Sequence, residues 1–147
     1  MTPDVNLLVA ASRGDHPHHA PARAWLSTAL AQASSGAAFT LMPMVVASFL
    51  RLVTSPKIFK APASIDEAIQ FVDALLAQPG VHLATLGPEW PALRRLCLDK
   101  RLSGSHLPDA WLAAATLHQG EHLATFDANF KKLLPRSKLT LLLGLAA

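Results

Sequence analysis

The sequence predicts an α/β fold in which helices cover both faces of a mostly parallel sheet of about five strands. Three observations point there. Short apolar runs of β character alternate along the whole chain with segments whose apolar residues recur at helical spacing. Most boundaries carry Pro, Gly or a charge. The stretch from Leu107 to Phe130 gives the pattern in full: a helix opening with Pro108-Asp109, a stop at Gly120, and a strand, His122 to Phe126, that runs into Asp127. A helix with one acid in its first turn, followed by a strand with another at its carboxyl end, can bring two carboxylates together. In open α/β sheets, that edge is where ligands bind.

Taken in order, Met1 to Asp4 reads as a first strand ending in an acid, and Val5 to Ala11 as a short helix. A second helix follows between His16 and Gly36, with Asp15 or His16 as its cap and Ser34-Ser35-Gly36 as its stop. His16, His18 and His19 resemble a metal site on paper, but Pro17 lies among them at the start of the helix, so they are expected as surface histidines. Ala37 to Met42 is the second strand and Pro43 to Ser55 the next helix, broken by Pro56. Thr54 to Ser64 holds Lys57 and Lys60 and is expected as a mobile basic rim. Ser64 and Glu67 match a capping box for a helix that ends near Gln78. Val81 to Leu86 is the third strand, Gly87 to Leu102 a helix, and Leu139 to Leu143 the last strand.

With 147 residues, of which 51% are hydrophobic, the chain suits one domain with an ordinary core. No apolar run approaches the roughly 18 to 20 residues of a membrane span. Pro3 and Asp4 stand where a secretory leader would be basic and then apolar, so a cytoplasmic protein is the expectation. One cysteine, Cys97, excludes an internal disulfide framework and a thiolate metal cage, and is expected to be a small buried residue. A net charge of +3 is too small for a nonspecific polyanion binder. The distribution is more telling: Arg94, Arg95, Lys100 and Arg101 form one basic group, and Lys131, Lys132, Arg136 and Lys138 another, just after Asp127. These are either two solvated faces or the flanks of a site for an anionic backbone.

Asp4, Asp109 and Asp127 each fall at the carboxyl end of an expected strand or in the first turn of a helix near that edge. Singly, each has an ordinary explanation, because the helix dipole favours an acid in the first turn and turns favour one after a strand. Together they make a constellation. Crowded carboxylates raise one another's pKa unless a cation neutralises them, and oxygen-only ligands select hard ions such as Mg²⁺ or Mn²⁺. Such an ion lowers the pKa of a bound water and stabilises charge on a phosphoryl oxygen.

PDVNLLVAA at the start, HPHHAPARAWL, FLRLVTSPKIF in the middle and PDAWLAAATLHQGEHLATFDANF near the end together resemble PIN-domain proteins of the VapC toxin type. The resemblance covers almost the whole chain, in the right order. It implies a single PIN domain over residues 1–147 with a three-layer α/β/α sandwich, and an Mg²⁺- or Mn²⁺-dependent endoribonuclease acting on RNA. It also implies a homodimer and a cognate antitoxin that occupies the active-site groove. Asp4 matches the family's acid after the first strand, Asp109 the acid opening the late helix, Asp127 the acid of a T-x-D motif and Thr125 its hydroxyl partner.

Ser48 departs from the pattern, since many relatives carry Glu immediately before the Phe-Leu-Arg found here as Phe49, Leu50 and Arg51. A serine can hold a water but supplies no charge. Asn129 stands where some relatives have a further Asp. Asn6 is placed either to orient Asp4 or to cap a helix, and Arg51 either to meet RNA phosphate or to face solvent. Trp25 and Trp111 are expected in the core or at a dimer contact. Two other readings remain: a catalytically weak PIN domain that binds RNA or an antitoxin, motivated by Ser48, and a phospho-aspartate domain, which lacks support because Asp4 has no Asp-x-Asp neighbour.

Overall fold

In the computed structural model, which describes residues 1–142, strands and helices alternate as the apolar pattern requires. Strand β1 (Thr2–Pro3) leads into α1 (Val5–Ser12), then α2 (His19–Ser34), β2 (Phe39–Leu41), α3 (Pro43–Val53) and α4 (Ile65–Leu76). Next come β3 (Val81–Leu83), α5 (Trp90–Lys100), α6 (His106–His118), β4 (Leu123–Thr125) and β5 (Leu139–Leu141). No helix among the described residues is long and apolar enough to cross a membrane.

Two parallel ladders form, β1-β4-β5 and β2-β3. Thr2 lies opposite Leu123, Leu123 opposite Leu139, and Phe39 opposite Val81. The ladders meet where Thr40 N–H donates to the Met1 carbonyl at 2.9 Å and Thr2 Oγ1 donates to the Thr40 carbonyl at 2.6 Å. Five strands therefore follow the order β3-β2-β1-β4-β5. The chain fills one side of β1 first and the other side afterwards, so the switch point lies between the carboxyl ends of β1 and β4.

Burial explains the helices at the centre. Leu7 to Ala11 are all buried, and a helix apolar on every side belongs inside, here against α2, α3 and β4. α6 buries Ala110 and Leu112 to Thr116, and its run of small side chains permits close packing. Both halves of the Ser64–Glu67 capping box form at the start of α4. At the α4–β3 junction Gly80 has φ +79°, and a Cβ there would stand 2.4 Å from the Ala33 carbonyl oxygen, so only glycine fits.

Several expectations need correction. α2 starts at His19 rather than near His16, because Arg13 and Asp15 pair in the preceding turn (Nη2 to Oδ2, 2.9 Å) and Pro17 follows. The three histidines are not simple surface residues: all are half-buried, His18 stacks on Phe126 with centroids 5.0 Å apart, and His19 Nδ1 meets the Ala10 carbonyl at 2.8 Å. In the loop after α3, Arg13 donates to the Ala61 carbonyl and lies over the Phe59 ring at 3.8 Å, while Lys57 and Lys60 are exposed. Cys97 is half-buried, as α5 has no fully buried residue. Every strand is shorter than its apolar run, and the expected end of the last strand at Leu143 lies outside the described residues.

Candidate functional site

Asp4 follows β1 directly and caps α1 from an extended backbone, with φ −75° and ψ 162°. Its side chain is 6% exposed. Oδ1 accepts from Val5 N–H at 2.7 Å, and Oδ2 accepts from Thr125 Oγ1 at 2.7 Å. Thr125 ends β4, the strand paired with β1, so the parallel register delivers its hydroxyl to Asp4. The same oxygen accepts from Asp127 N–H at 3.0 Å and from Asn6 Nδ2 at 3.3 Å, which fills its two lone pairs and turns its proton toward Asp4. Asn6 Oδ1 in turn accepts from Phe126 N–H at 3.4 Å. Asp127 caps the short 3₁₀ turn Ala128–Lys132, its Oδ1 accepting from Asn129 N–H at 2.9 Å.

Asp109 lies in the first turn of α6, which begins at His106, two residues before the expected Pro108. Burial raises the pKa of Asp4 first; Thr125 and Val5 oppose by hydrogen bonding, and the charges of Asp109 and Asp127 add to the rise. Asp109 is also raised, by burial and then by Asp127, against a smaller pull from His106. Asp109 and Asp127 thus act on Asp4, and Asp127 acts on Asp109. No cation of the chain pairs with them among the described residues. Nor do any three His, Cys, Asp or Glu side chains among the described residues close into a ready ligand set. A hard cation placed between these acids would keep waters in its shell, the usual state of Mg²⁺ held by one or two carboxylates. The donors present, carboxylate oxygens supported by Thr125 and Asn6, fit such an ion and no soft one.

A cavity of about 920 Å³ opens beside Asp4 and Asp109. Ser48 and Arg51 on α3 line it, with Leu52, Leu107, Trp111 and Leu112 among its apolar walls. Asp109 also borders a smaller pocket on its other side, and Asn129 lies there. The structure therefore gathers Asp4, Asn6, Thr125 and Asp127 by hydrogen bonds. Asp109 joins them through charge, Ser48 and Arg51 across the larger cavity, and Asn129 through Asp127. Lys57 and Lys60 line neither cavity.

Sequence reasoning missed Glu89. Its buried carboxylate accepts from Trp111 Nε1 and from Gly87 N–H, both at 2.7 Å, and holds the indole at the cavity wall. Trp111 is 38% exposed there rather than in the core, whereas Trp25 packs against core Phe39 with centroids 5.9 Å apart. A carboxylate between Gly-Pro and Trp gives no hint of a partner 22 residues later.

The family model described as PIN domain matches residues 1–133. The chain belongs to the PIN-domain family. Within that family it is similar to VapC proteins: Ribonuclease VapC31 of Mycobacterium tuberculosis is 44% identical over 133 residues, covering 88% of this chain and 89% of the relative. Ribonuclease VapC25 of the same organism is 41% identical over 131 residues, with 88% and 89% covered. Among solved structures, VapBC2 from Rickettsia felis bound to a promoter DNA fragment superposes with TM-score 0.62 at 15% identity, over 95% of this chain and 96% of that one. Mycobacterium tuberculosis VapC20, a toxin that cleaves the sarcin-ricin loop, gives TM-score 0.61 at 17% identity over 88% and 92%. At such identities the two structures bear on the fold alone.

Proposed function

We propose that this PIN domain is an Mg²⁺- or Mn²⁺-dependent endoribonuclease, the toxin of a type II toxin–antitoxin pair. The observation that carries the reading is that Thr125 ties Asp4 to Asp127 by hydrogen bonds while Asp109 lines the same cavity as Asp4, with no cation of the chain paired to these acids among the described residues. Asp4, Asp109 and Asp127 would hold the ion, which supplies a water of lowered pKa and neutralises charge on the phosphoryl oxygen. Thr125 fixes the Asp4 carboxylate through its donated hydrogen bond, and Asn6 and the Asp127 N–H fix Thr125. Arg51, at the rim of the larger cavity, positions a phosphate of the strand. The named ribonuclease relatives support the substrate class, and the VapBC2 neighbour supports an antitoxin partner. An antitoxin segment would lie in the apolar cavity between α3 and α6, and exposed Trp90 and Leu98 on α5 offer a face for a homodimer.

The experiment is single-turnover cleavage of RNA with and without EDTA, comparing the native chain with Asp4→Asn and Asp109→Asn. Cation-dependent cleavage lost in both variants supports the reading; EDTA-resistant cleavage surviving both refutes it. A second reading, a weakly catalytic module that binds RNA or antitoxin, draws on Ser48, which lines the cavity with Asp4 but brings no charge. Strong activation by Ser48→Glu would favour it.

A further inference from the structure

One member or more of each basic group, Lys100 and Arg101 from the first and Lys132 from the second, about thirty residues apart in sequence, meet beside Asp109 in a pocket of about 390 Å³. Lys100 and Arg101, at the end of α5, and Lys132, in the turn after β4, line it with His106 and Asn129, and Asp109 forms part of the wall. No carboxylate pairs with Lys100, Arg101 or Lys132 among the described residues. The pocket therefore presents three permanent cations against one acid, and that acid belongs to the proposed catalytic set.

Arg101 adds an independent sign. With φ 51° and ψ 50° it is in the left-handed region, and it is the only non-glycine residue with positive φ among the described residues. Glycine is the usual residue where a helix ends this way, and a side chain there brings strain. The chain accepts this strain at a residue that lines the pocket. The larger cavity that Asp109 also lines differs in kind: most of its lining residues are apolar, and Arg51 is its one basic residue among the described residues.

We propose that the Lys100–Arg101–Lys132 pocket is a second phosphate subsite, which holds the backbone of single-stranded RNA one step from the scissile phosphate. It rests on the ribonuclease reading and deepens it. The substrate must extend past the cleavage point on this side, and the pocket fixes strand placement without reading base identity.

The test is equilibrium binding of a labelled single-stranded RNA oligonucleotide in EDTA over a range of salt concentrations. Removing one backbone contact should lower the slope of log affinity against log salt by about 0.7, and Lys100→Ala with Lys132→Ala by about 1.4. Arg101→Gly separates recognition from folding, since it should leave thermal stability equal or higher while weakening RNA binding. Lys57→Ala with Lys60→Ala serves as the control and should leave affinity nearer the native value. In a set of oligonucleotides each carrying one uncharged methylphosphonate, one position should weaken binding to the native chain and have little effect on the double variant. Unchanged salt slopes in the pocket variants overturn the subsite even if the chain cleaves RNA. Reduced slopes without cleavage on adding Mg²⁺ or Mn²⁺ uphold the subsite and count against the nuclease reading.

Discussion

Thr125 Oγ1 donates to Asp4 Oδ2 at 2.7 Å, joining positions 121 residues apart through a buried contact between neighbouring strands. Thr125→Val removes this donor and leaves Asp127 N–H and Asn6 Nδ2 without their acceptor. A hydrogen bond to a charged group is worth about 1.5 to 3 kcal/mol, so urea denaturation should show a loss of about 2 kcal/mol. Thr125→Ser should recover most of the loss, together with RNA cleavage.

The raised pKa of Asp4 sets the sign of a pH effect. Between its unfolded and folded values the native state binds the extra proton, so the Asp4 contribution is favourable at low pH and is lost as pH rises through the folded value. Metal-free protein should show this trend in melting temperature, and Asp4→Asn should flatten it. Mg²⁺ or Mn²⁺ should raise the native melting temperature at neutral pH, by an amount that shrinks on acidification because protons compete for the same oxygens. A cation effect as large in Asp4→Asn as in the native chain would contradict the assignment.

Gly80→Ala should destabilise the fold by about 2 to 4 kcal/mol, since the added Cβ meets the Ala33 backbone and the left-handed φ disfavours a side chain. Chemical denaturation measures the loss. The variant that remains folded at low temperature should bind Mn²⁺ normally, because Gly80 lines neither cavity at the acids.

Trp111→Phe should cost about 1 to 3 kcal/mol, leaving the Glu89 carboxylate buried without the indole donor. Glu89→Gln keeps an acceptor for the indole and should cost less. Denaturation curves of the two variants, taken together, test the contact.

The order of elements was legible because apolar periodicity and Pro/Gly punctuation reflect local geometry. That Asp4 and Asp127 come close through Thr125, with Asp109 on the same cavity as Asp4, was legible because each acid follows a strand or opens a helix. Less was visible where tertiary packing decides. His18 stacks on Phe126 only because α1 and the turn after it bring the two rings together. The start of α2 shifted because the Arg13–Asp15 pair holds the turn before it, and no capping pattern records that choice. Glu89 and Trp111 meet through α5–α6 packing. The basic groups were visible as charge, but only the fold brings Lys100, Arg101 and Lys132 into one pocket beside Asp109.

The most direct measurement is a Mn²⁺ titration followed by electron paramagnetic resonance, on the native chain and on Asp4→Asn, Asp109→Asn and Asp127→Asn. Joint coordination by the three acids predicts saturable binding to the native chain and affinity reduced at least about tenfold in each variant. Native-like Mn²⁺ affinity in all three variants would contradict a shared cation site.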